Sequence, residues 1–410
     1  MTPQPTTTYP KFGTALPLNI DALRAATPGC EATAFLSNAG SALSTTATID
    51  AVKRHLDREA QIGGYAAADE AHDIFTAARA GLATLIGGAS HEIALTMSDS
   101  TAWTKGLWGW ALGSNMKRGS VVLIDRLSYH SHIAALTQLA ELFGFDLAEL
   151  ASLDDGTVDL NQADRALADP RVTLVCATAI GTHCGNVNPI EQLGAKVAER
   201  SIPFFVDGCQ ALAHIPIDVR ASKISLLTGT GRKWLRAPRG TGMLWIDEGI
   251  VERFVPPGID GVSSAWDAHR GFTVHPGMKR FEEFEGPFAA LVGMANAVGE
   301  AVALGIPNVS ARILQLAEQL RTALASRGAV VLDTAERRCG IVTFAVPGVE
   351  APAVVAAAAK RNASIGVSTS GWAALDMNAK GLAQVVRVSP HIYNTEDELS
   401  RVSDADDSFG

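Results

Sequence analysis

The residues best suited to chemistry lie in one passage, residues 205–244, which reads FVDGCQALAHIPIDVRASKISLLTGTGRKWLRAPRGTGML. Asp207 ends an apolar segment typical of a strand, and Lys233 follows in a loop rich in glycine and threonine. A carboxylate can hold a protonated pyridine nitrogen, and a lysine amine can form an imine with an aldehyde. Together they are what pyridoxal 5'-phosphate (PLP) requires of a protein, and they predict an enzyme that acts on amino-acid substrates.

Each of these residues also has an ordinary structural explanation. An acid at the end of a strand commonly caps a helix or a turn, and Lys233 could lie in an exposed basic loop. Gln210 could reach the phenolic oxygen of the cofactor or cap the local turn. The occurrence of all three in one passage favours the cofactor site.

A phosphate site is predicted where residues 96–103, TMSDSTAW, follow an apolar segment. Ser100 and Thr101 open a helix there, and free N–H groups at a helix start attract anions. The same residues could be an ordinary helix cap. Thr230 and Arg232 would add a hydroxyl and a positive charge to the same phosphate.

Two further segments could complete the site. In residues 128–132, SYHSH, the ring of Tyr129 could stack on the pyridine, with His130 as the second choice. In residues 385–395, VVRVSPHIYNT, Arg387 could hold a substrate carboxylate through its planar fork. A polar loop start and a structural ion pair are the respective alternatives.

The pattern along the chain predicts the elements that must position these residues. Continuous apolar segments alternate with amphipathic helical ones, which indicates an α/β fold with a mostly parallel sheet covered on both faces. The predicted strands are residues 93–97, 121–124, 172–177, 204–206, 226–229 and 243–246. Residues 264–276 read as irregular, and after them come helices 287–304 and 308–327 and short strands at 330–332, 341–346, 364–367 and 385–388. We therefore expect an arm (1–34), a large PLP-binding domain (35–265) and a small C-terminal α+β domain (266–410) with a disordered acidic tail.

Composition excludes several other classes of protein. The 410 residues carry a formal charge of −9 without a basic block, so a nucleic-acid partner is not expected. Neither a signal peptide nor a membrane-spanning apolar run is apparent. Five scattered cysteines without metal-ligand spacing indicate reduced thiols, no metal site and a cytoplasmic location. A nucleotide-binding module or a silent scaffold is the remaining alternative, but GTGRKW lacks the spacing of a phosphate-binding P-loop.

Three motifs, VDGCQALAHIPIDV, GTGRKWLRAPRGTG and RVSPHIYNT, resemble the class V aminotransferase and cysteine desulfurase group of fold-type I PLP enzymes. The resemblance runs from residue 35 to residue 402. It implies a large domain with a mostly parallel seven-stranded sheet, a smaller α+β domain, and a homodimer. The segments EAQIGGYAAADEAHDIFTAARAGLATLIG and TAIGTHCGNVNP look most like hercynylcysteine sulfoxide lyases of ergothioneine biosynthesis and related enzymes of lincosamide antibiotic pathways.

The resemblance also implies a role for each matching residue. Lys233 would hold the cofactor covalently, Asp207 would pair with its pyridine nitrogen, and Gln210 would pair with its phenolic oxygen. Tyr129 and Thr182 would contact the ring and its oxygen, and Arg387, Asn38 and Ala39 would bind the substrate. The phosphate would be bound by Ser100, Thr101, Thr230 and Arg232.

One departure from the family pattern bears on the reaction. Cysteine desulfurases need a catalytic cysteine in a loop that here reads STSGWAAL (residues 368–375), with Ala373 about where that cysteine should be. We therefore favour a PLP-dependent carbon–sulfur lyase that acts on a cysteine S-conjugate or its sulfoxide. An aminotransferase, an epimerase or a decarboxylating oxidative deaminase stays open, because the sequence does not reveal which bond is aligned for cleavage.

Overall fold

The structure, a computed structural model, describes residues 18–114 and 116–404. Residues 1–17 of the predicted arm and residues 405–410 of the predicted tail therefore lie outside the described residues. The helices are α1 Ile20–Ala25, α2 Gly29–Ala32, α3 Thr46–Ile62, α4 Gly64–Glu70, α5 His72–Ile86, α6 Asp99–Gly113, α7 His130–Phe143, α8 Leu160–Leu167, α9 Ile190–Ala198, α10 Phe288–Leu304, α11 Ile306–Ser326, α12 Ala351–Lys360, α13 Ala374–Ala379 and α14 Glu396–Ser403. The strands are β1 Ala34–Phe35, β2 Ile93–Thr96, β3 Val121–Ile124, β4 Asp146–Glu149, β5 Val172–Thr178, β6 Phe204–Asp207, β7 Leu226–Thr230, β8 Gly242–Ile246, β9 Ser264–Asp267, β10 Gly271–Val274, β11 Val330–Val331, β12 Val342–Ala345, β13 Ala363–Ser364, β14 Gly366–Thr369 and β15 Gln384–Val388.

The central sheet has seven strands in the order β2-β8-β7-β6-β5-β3-β4. Strand β8 runs antiparallel to both of its neighbours, and the other neighbouring strands are parallel. Successive side chains of β3 enter opposite apolar layers: Val121 and Leu123 join one core, and Val122 and Ile124 join the other. Helices α5 and α9 cover the first face, and α6 and α7 cover the second. The predicted α/β fold with a mostly parallel sheet is confirmed.

The parallel strands of this sheet end at one edge, where polar residues begin. Strand β5 ends at Thr178, β6 at Asp207 and β7 at Thr230, and the register places Thr178 beside Asp207. Helix α6 starts just after β2, and α7 starts a few residues after β3. In open α/β sheets this edge is where ligands bind.

A second, antiparallel sheet has the order β11-β12-β15-β14 and its own apolar core with α11, α12 and α14. The chain passes more than once between the part built on the central sheet and the part built on the second sheet. Strand β1 pairs with β13 near the second sheet, while α10 packs against α3 and α5 of the first part. The domain boundary inferred from the sequence stays a prediction.

The prediction of an irregular segment at 264–276 is wrong. Strands β9 and β10 form an antiparallel hairpin in which Trp266 pairs with Phe272. Asp267 accepts hydrogen bonds from the backbone N–H groups of His269 and Arg270, which closes the turn. The strands have only four residues each and are largely exposed, so the sequence lacked the burial pattern of a strand. The short edge strand β4 was missed for the same reason.

Within the described ranges, no single helix is long and apolar enough to cross a membrane. Helices α10 and α11 would meet the length and composition criteria only together, and they bend by 83° at their junction. One side of α10 is buried in the protein core.

Gly185 joins the segment before α9 to the chain near the second sheet. Its N–H donates to Asp333 Oδ1 at 2.7 Å, and a Cβ atom added to it would lie 2.0 Å from the carbonyl oxygen of Ile341. We predict that Gly185→Ala lowers the free energy of unfolding by about 1–3 kcal/mol, because the added methyl group would push apart two backbone segments that are packed against each other. Urea denaturation measures this change.

The matched control is Gly299→Ala in α10, where an added Cβ has no neighbour within 4 Å. Alanine should raise stability there by up to about 1 kcal/mol, through helix propensity alone. Equal effects of the two substitutions would contradict the close approach at Gly185.

Candidate active site

A cleft opens where β5, β6 and β7 end, and most of the predicted site residues line it. Seven predicted residues meet there: Ser100, Tyr129, Thr182, Asp207, Gln210, Arg232 and Lys233. The remaining lining residues are Ser98, Asp99, Ile180 and Cys209. Tertiary structure thus brings together segments from five separate parts of the chain.

Asp207 is buried at the end of β6, with 4% of its surface exposed. Its Oδ1 accepts a hydrogen bond of 2.8 Å from the backbone N–H of Cys209. Its Oδ2 lies 3.2 Å from Nδ1 of His132. The hydrogen bond at Oδ1 fixes the direction of the carboxylate, and the imidazole of His132 lies beside its other oxygen.

His132 stands between two buried carboxylates. Its Nε2 lies 3.0 Å from Asp99 Oδ2, and its ring stacks on Trp103 with 4.3 Å between centroids. Burial opposes a charge on this imidazole, but Asp207 and Asp99 outweigh it and raise the pKa of His132 to about 10. The same cation lowers the pKa of Asp99 despite the burial of its carboxyl group. At neutral pH His132 is therefore an imidazolium, with Asp99 and Asp207 on either side of its ring.

Lys233 is buried beside this network. Its Nζ donates to Sγ of Cys209 at 3.3 Å, and only 7% of the residue is exposed. Burial raises the pKa of the Cys209 thiol, so the sulfur stays protonated. The loop that carries the lysine is held to the residue before β8, because Gly231 N–H donates to the Thr241 carbonyl at 3.0 Å.

The predicted phosphate end combines a helix start with a cation. Ser98 caps α6: its Oγ accepts from the N–H of Thr101 at 3.0 Å and pairs with the Thr101 hydroxyl at 2.9 Å. Arg232 Nη1 donates to Thr230 Oγ1 at 3.0 Å. Gly242 lets this helix start lie against β8, since a Cβ there would be 2.6 Å from the carbonyl carbon of Ser98.

Arg387 reaches the cleft from β15 of the second sheet. Its Nη1 donates to the carbonyl oxygen of Thr182 at 2.6 Å, while its buried Nε has no hydrogen-bond partner among the described residues. Burial lowers the pKa of Arg387 to about 10, so the guanidinium remains charged at neutral pH. An unpartnered buried donor on a cation is a favourable place for a carboxylate.

Polar contacts of Asn38, Ala39 and Gln210 support the wall of the cleft, which Gln210 itself lines. The Nδ2 of Asn38 donates to the Ser389 carbonyl at 2.7 Å, and its Oδ1 accepts from the Tyr393 hydroxyl. Gln210 donates from Nε2 to the Ala39 carbonyl at 3.0 Å. These polar groups already hold neighbouring segments together, and direct substrate contact by Asn38 and Ala39 stays a prediction.

The residues present fit PLP. The cleft offers a fixed, buried carboxylate in Asp207, a buried amine in Lys233, and a helix start with Arg232 for a phosphate. Ring contacts by Tyr129 and the individual phosphate contacts stay predictions.

Sequence reasoning missed Asp99 and His132, although both lie within motifs that were singled out. MSDS places Asp99 beside the predicted phosphate residues, and SYHSH places His132 three residues after Tyr129. Only the fold places both beside Asp207. One potential metal-ligand atom from each of Asp99, Asp207 and Cys209 lies within 4.8 Å of the other two. The ring nitrogens of His132 already face Asp99 and Asp207, and Lys233 Nζ already donates to the sulfur of Cys209.

Comparison with known proteins agrees with the geometry. The family model described as Aminotransferase class-V matches residues 34–402. A probable hercynylcysteine sulfoxide lyase from Mycobacterium tuberculosis is 31% identical over 94% of this chain and 92% of its own length. Probable cysteine desulfurases are also among the relatives.

Two solved structures share the fold. An apo cysteine desulfurase from Thermococcus onnurineus NA1 has a TM-score of 0.89 at 21% identity, over 97% of this chain and 99% of that one. The cystine C–S lyase C-DES, in complex with its product cysteine persulfide, has a TM-score of 0.82 at 20% identity, over 92% and 99%. A mutant of C-DES carries glycine covalently linked to the PLP cofactor. This chain therefore belongs to the class V aminotransferase family of PLP-dependent enzymes.

Proposed function

We propose that the protein is a PLP-dependent carbon–sulfur lyase that cleaves the Cβ–S bond of a cysteine S-conjugate or its sulfoxide. The observation that carries the proposal is the absence of a cysteine from residues 368–375, where a desulfurase has its nucleophile. All five cysteines of the chain are buried elsewhere. The M. tuberculosis relative named as a probable sulfoxide lyase supports the same reaction.

Cys209 is the one cysteine at the cleft, and its environment is unsuited to persulfide chemistry. Sulfur transfer requires a thiolate on a segment that can move toward the substrate. Cys209 lies in the turn after β6, and its thiol is buried and stays protonated. A PLP enzyme without a mobile thiolate can still cleave the Cβ–S bond by elimination, because elimination needs only a base and a leaving group.

When bound, PLP stabilises negative charge at the substrate Cα by drawing electrons into its ring. The chain's own residues then have separate tasks. Asp207 keeps the pyridine nitrogen protonated, Arg387 binds the substrate carboxylate, and Lys233 Nζ removes the Cα proton. The overall reaction consumes the conjugate and one water molecule, and it gives pyruvate, ammonium and a thiol. A sulfoxide substrate gives a sulfenic acid in place of the thiol.

A product assay tests the proposal directly. Purified enzyme supplied with PLP and cysteine S-conjugates should release pyruvate and thiol in equal amounts without a keto-acid acceptor. Lys233→Ala should lose both this activity and the visible absorption of the lysine-bound cofactor, whereas Lys360→Ala, an exposed control, should retain them. Alanine as the product would indicate desulfuration instead, and a requirement for a keto acid would indicate transamination.

We predict that Arg387→Lys lowers kcat/KM for the conjugate at least about tenfold, mainly through KM. Hydrogen bonds to charged groups contribute about 1.5–3 kcal/mol, and a lysine cannot reproduce the planar fork. Steady-state kinetics measures the effect, and Arg361→Lys at an exposed position is the control. An unchanged KM would argue against carboxylate binding at this position.

His132 should make stability depend on pH. Its pKa is raised from 6.5 to about 10, so its stabilising contribution is complete below about pH 6.5 and is lost as the pH rises through about 10. We predict that His132→Asn weakens PLP binding, and that its stability deficit relative to the native apoprotein shrinks between these pH values. Urea denaturation at several pH values measures this deficit.

The control for His132 is His269→Asn, at an exposed position in the β9–β10 turn. Its effect on stability should be small at every pH. A deficit of His132→Asn that does not change with pH would mean that this imidazole carries no charge in the folded protein.

A homodimer, a cytoplasmic location and a role in secondary metabolism are part of the same proposal, and they derive from the family resemblance and the composition. Analytical ultracentrifugation tests the dimer. An active monomer would contradict it.

A further inference from the structure

The side-chain amide of Gln210 is hydrogen-bonded through both of its polar atoms. Its Oε1 accepts from the indole Nε1 of Trp234 at 2.8 Å, and its Nε2 donates to the carbonyl oxygen of Ala39 at 3.0 Å. An indole N–H can only donate, and a carbonyl oxygen can only accept. These two partners therefore permit one orientation of the amide, because a flipped amide would lose both hydrogen bonds.

Trp234 itself has little freedom to move. It directly follows Lys233, and only 2% of its surface is exposed. Its ring is stacked with the imidazole of His214, with 3.5 Å between centroids, and with that of His391 at 5.7 Å. Packing among these rings fixes the direction in which the indole N–H points.

Both imidazoles of this stack are neutral and hydrogen-bonded. Nε2 of His214 accepts from the N–H of Gly340 at 3.0 Å, so its Nδ1 donates to the carbonyl oxygen of Gln210 at 2.8 Å. Nε2 of His391 lies 3.1 Å from the carbonyl oxygen of Trp234. Burial lowers the pKa of His214 to about 3 and that of His391 well below its usual value. The stack thus holds the backbone of Gln210 as well as its side chain.

The orientation of the amide matters because Gln210 lines the cleft together with Lys233 and Asp207. With one N–H bound to Ala39, Nε2 has one N–H left to donate. In a flipped amide, the oxygen would take the place of that N–H and would repel an anionic group. The orientation therefore decides whether this side chain attracts or repels the phenolic oxygen of PLP.

We propose that Trp234 is a positioning residue for the cofactor: its indole N–H holds the amide of Gln210 so that Nε2 donates to the phenolic oxygen of PLP. The inference goes beyond the proposed lyase function, because it does not depend on which substrate bond the enzyme cleaves. A donor at the phenolic oxygen favours the form of the lysine-bound cofactor that has lost its proton, since that form carries more negative charge on the oxygen.

A pH titration of the visible absorption of the lysine-bound cofactor tests the inference without turnover. Its midpoint reports how strongly the phenolic oxygen is stabilised. Trp234→Phe keeps an aromatic ring in the stack but removes the N–H, so we expect the midpoint to rise by about 0.5–2 pH units. Gln210→Leu should raise it by about 1–2 pH units. The double variant should match Gln210→Leu alone, because Trp234 acts through Gln210.

Trp245→Phe is the matched control. It also removes a buried indole hydrogen bond, since Trp245 Nε1 donates to Glu92 Oε2 at 3.0 Å, but neither residue contacts Gln210 through that bond. The midpoint should stay at the native value in this variant. A second variant, Trp234→β-(3-benzothienyl)alanine, replaces the N–H by sulfur and keeps the bicyclic ring. It should show the same rise as Trp234→Phe, and it serves if the phenylalanine variant does not fold or bind PLP.

Three results would overturn the inference. A native midpoint in the Trp234 variants would mean that the indole does not orient the amide, and a native midpoint in Gln210→Leu would mean that Gln210 does not donate to the phenolic oxygen. A double variant whose midpoint lies above that of Gln210→Leu would mean that Trp234 acts through Lys233 instead. Pyruvate release is measured separately, so the failure of the lyase assay would leave this titration and its outcome unaffected.

Discussion

The site depends on an imidazolium held between two buried carboxylates. Asp207 lies buried at the end of β6, where the surrounding strands are apolar and a lone carboxylate would be costly. His132 supplies the compensating charge at 3.2 Å, and Asp99 in turn stabilises that cation at 3.0 Å. Trp103 closes the network from the side by stacking on the imidazole. The positive charge of His132 thus offsets the cost of burying an acid at this position.

This network joins the first turns of α6 and α7. Asp99 is the first residue of α6, and His132 lies in the first turn of α7. Each helix thus contributes one partner of the charge network and one predicted cofactor contact, Ser100 and Tyr129 respectively. The sheet supplies Asp207 between them, so a small change in helix position would affect electrostatics and cofactor binding together.

The two sheets meet beside the cleft, at the contact between Arg387 and Thr182. Arg387 on the second sheet donates to Thr182 in the segment after β5, and Gly185 in that segment packs against the chain near Ile341. His183, between them, lies 2.7 Å from Asp376 at the start of α13. Burial alone would lower the pKa of His183, but Cys184 and Asp376 raise it to about 9. These contacts hold the loop with Trp372 beside the cleft, where the family's desulfurases have their cysteine.

The sequence by itself determined the elements and the chemistry that depends on residue type. Apolar strands such as β3 and β8 are buried on both faces, so their pattern is continuous and their limits were predicted to within one residue. The exposed hairpin β9–β10 and the edge strand β4 lack that pattern and were missed. Asp207 and Lys233 could be assigned to one site from the sequence, because both lie in a single passage and together suit a PLP cofactor.

Only the tertiary structure decided which distant residues share the cleft. His132 and Asp99 are ordinary polar residues in their local sequence, and their charge states arise from groups that only folding brings within hydrogen-bond distance. In the sequence, Trp372 was only one member of the loop 368–375, which was singled out because it contains no cysteine. Its contact with Tyr129 joins residues far apart in the chain. Electrostatic and stacking energies depend on distances of a few ångströms, which local sequence patterns do not encode.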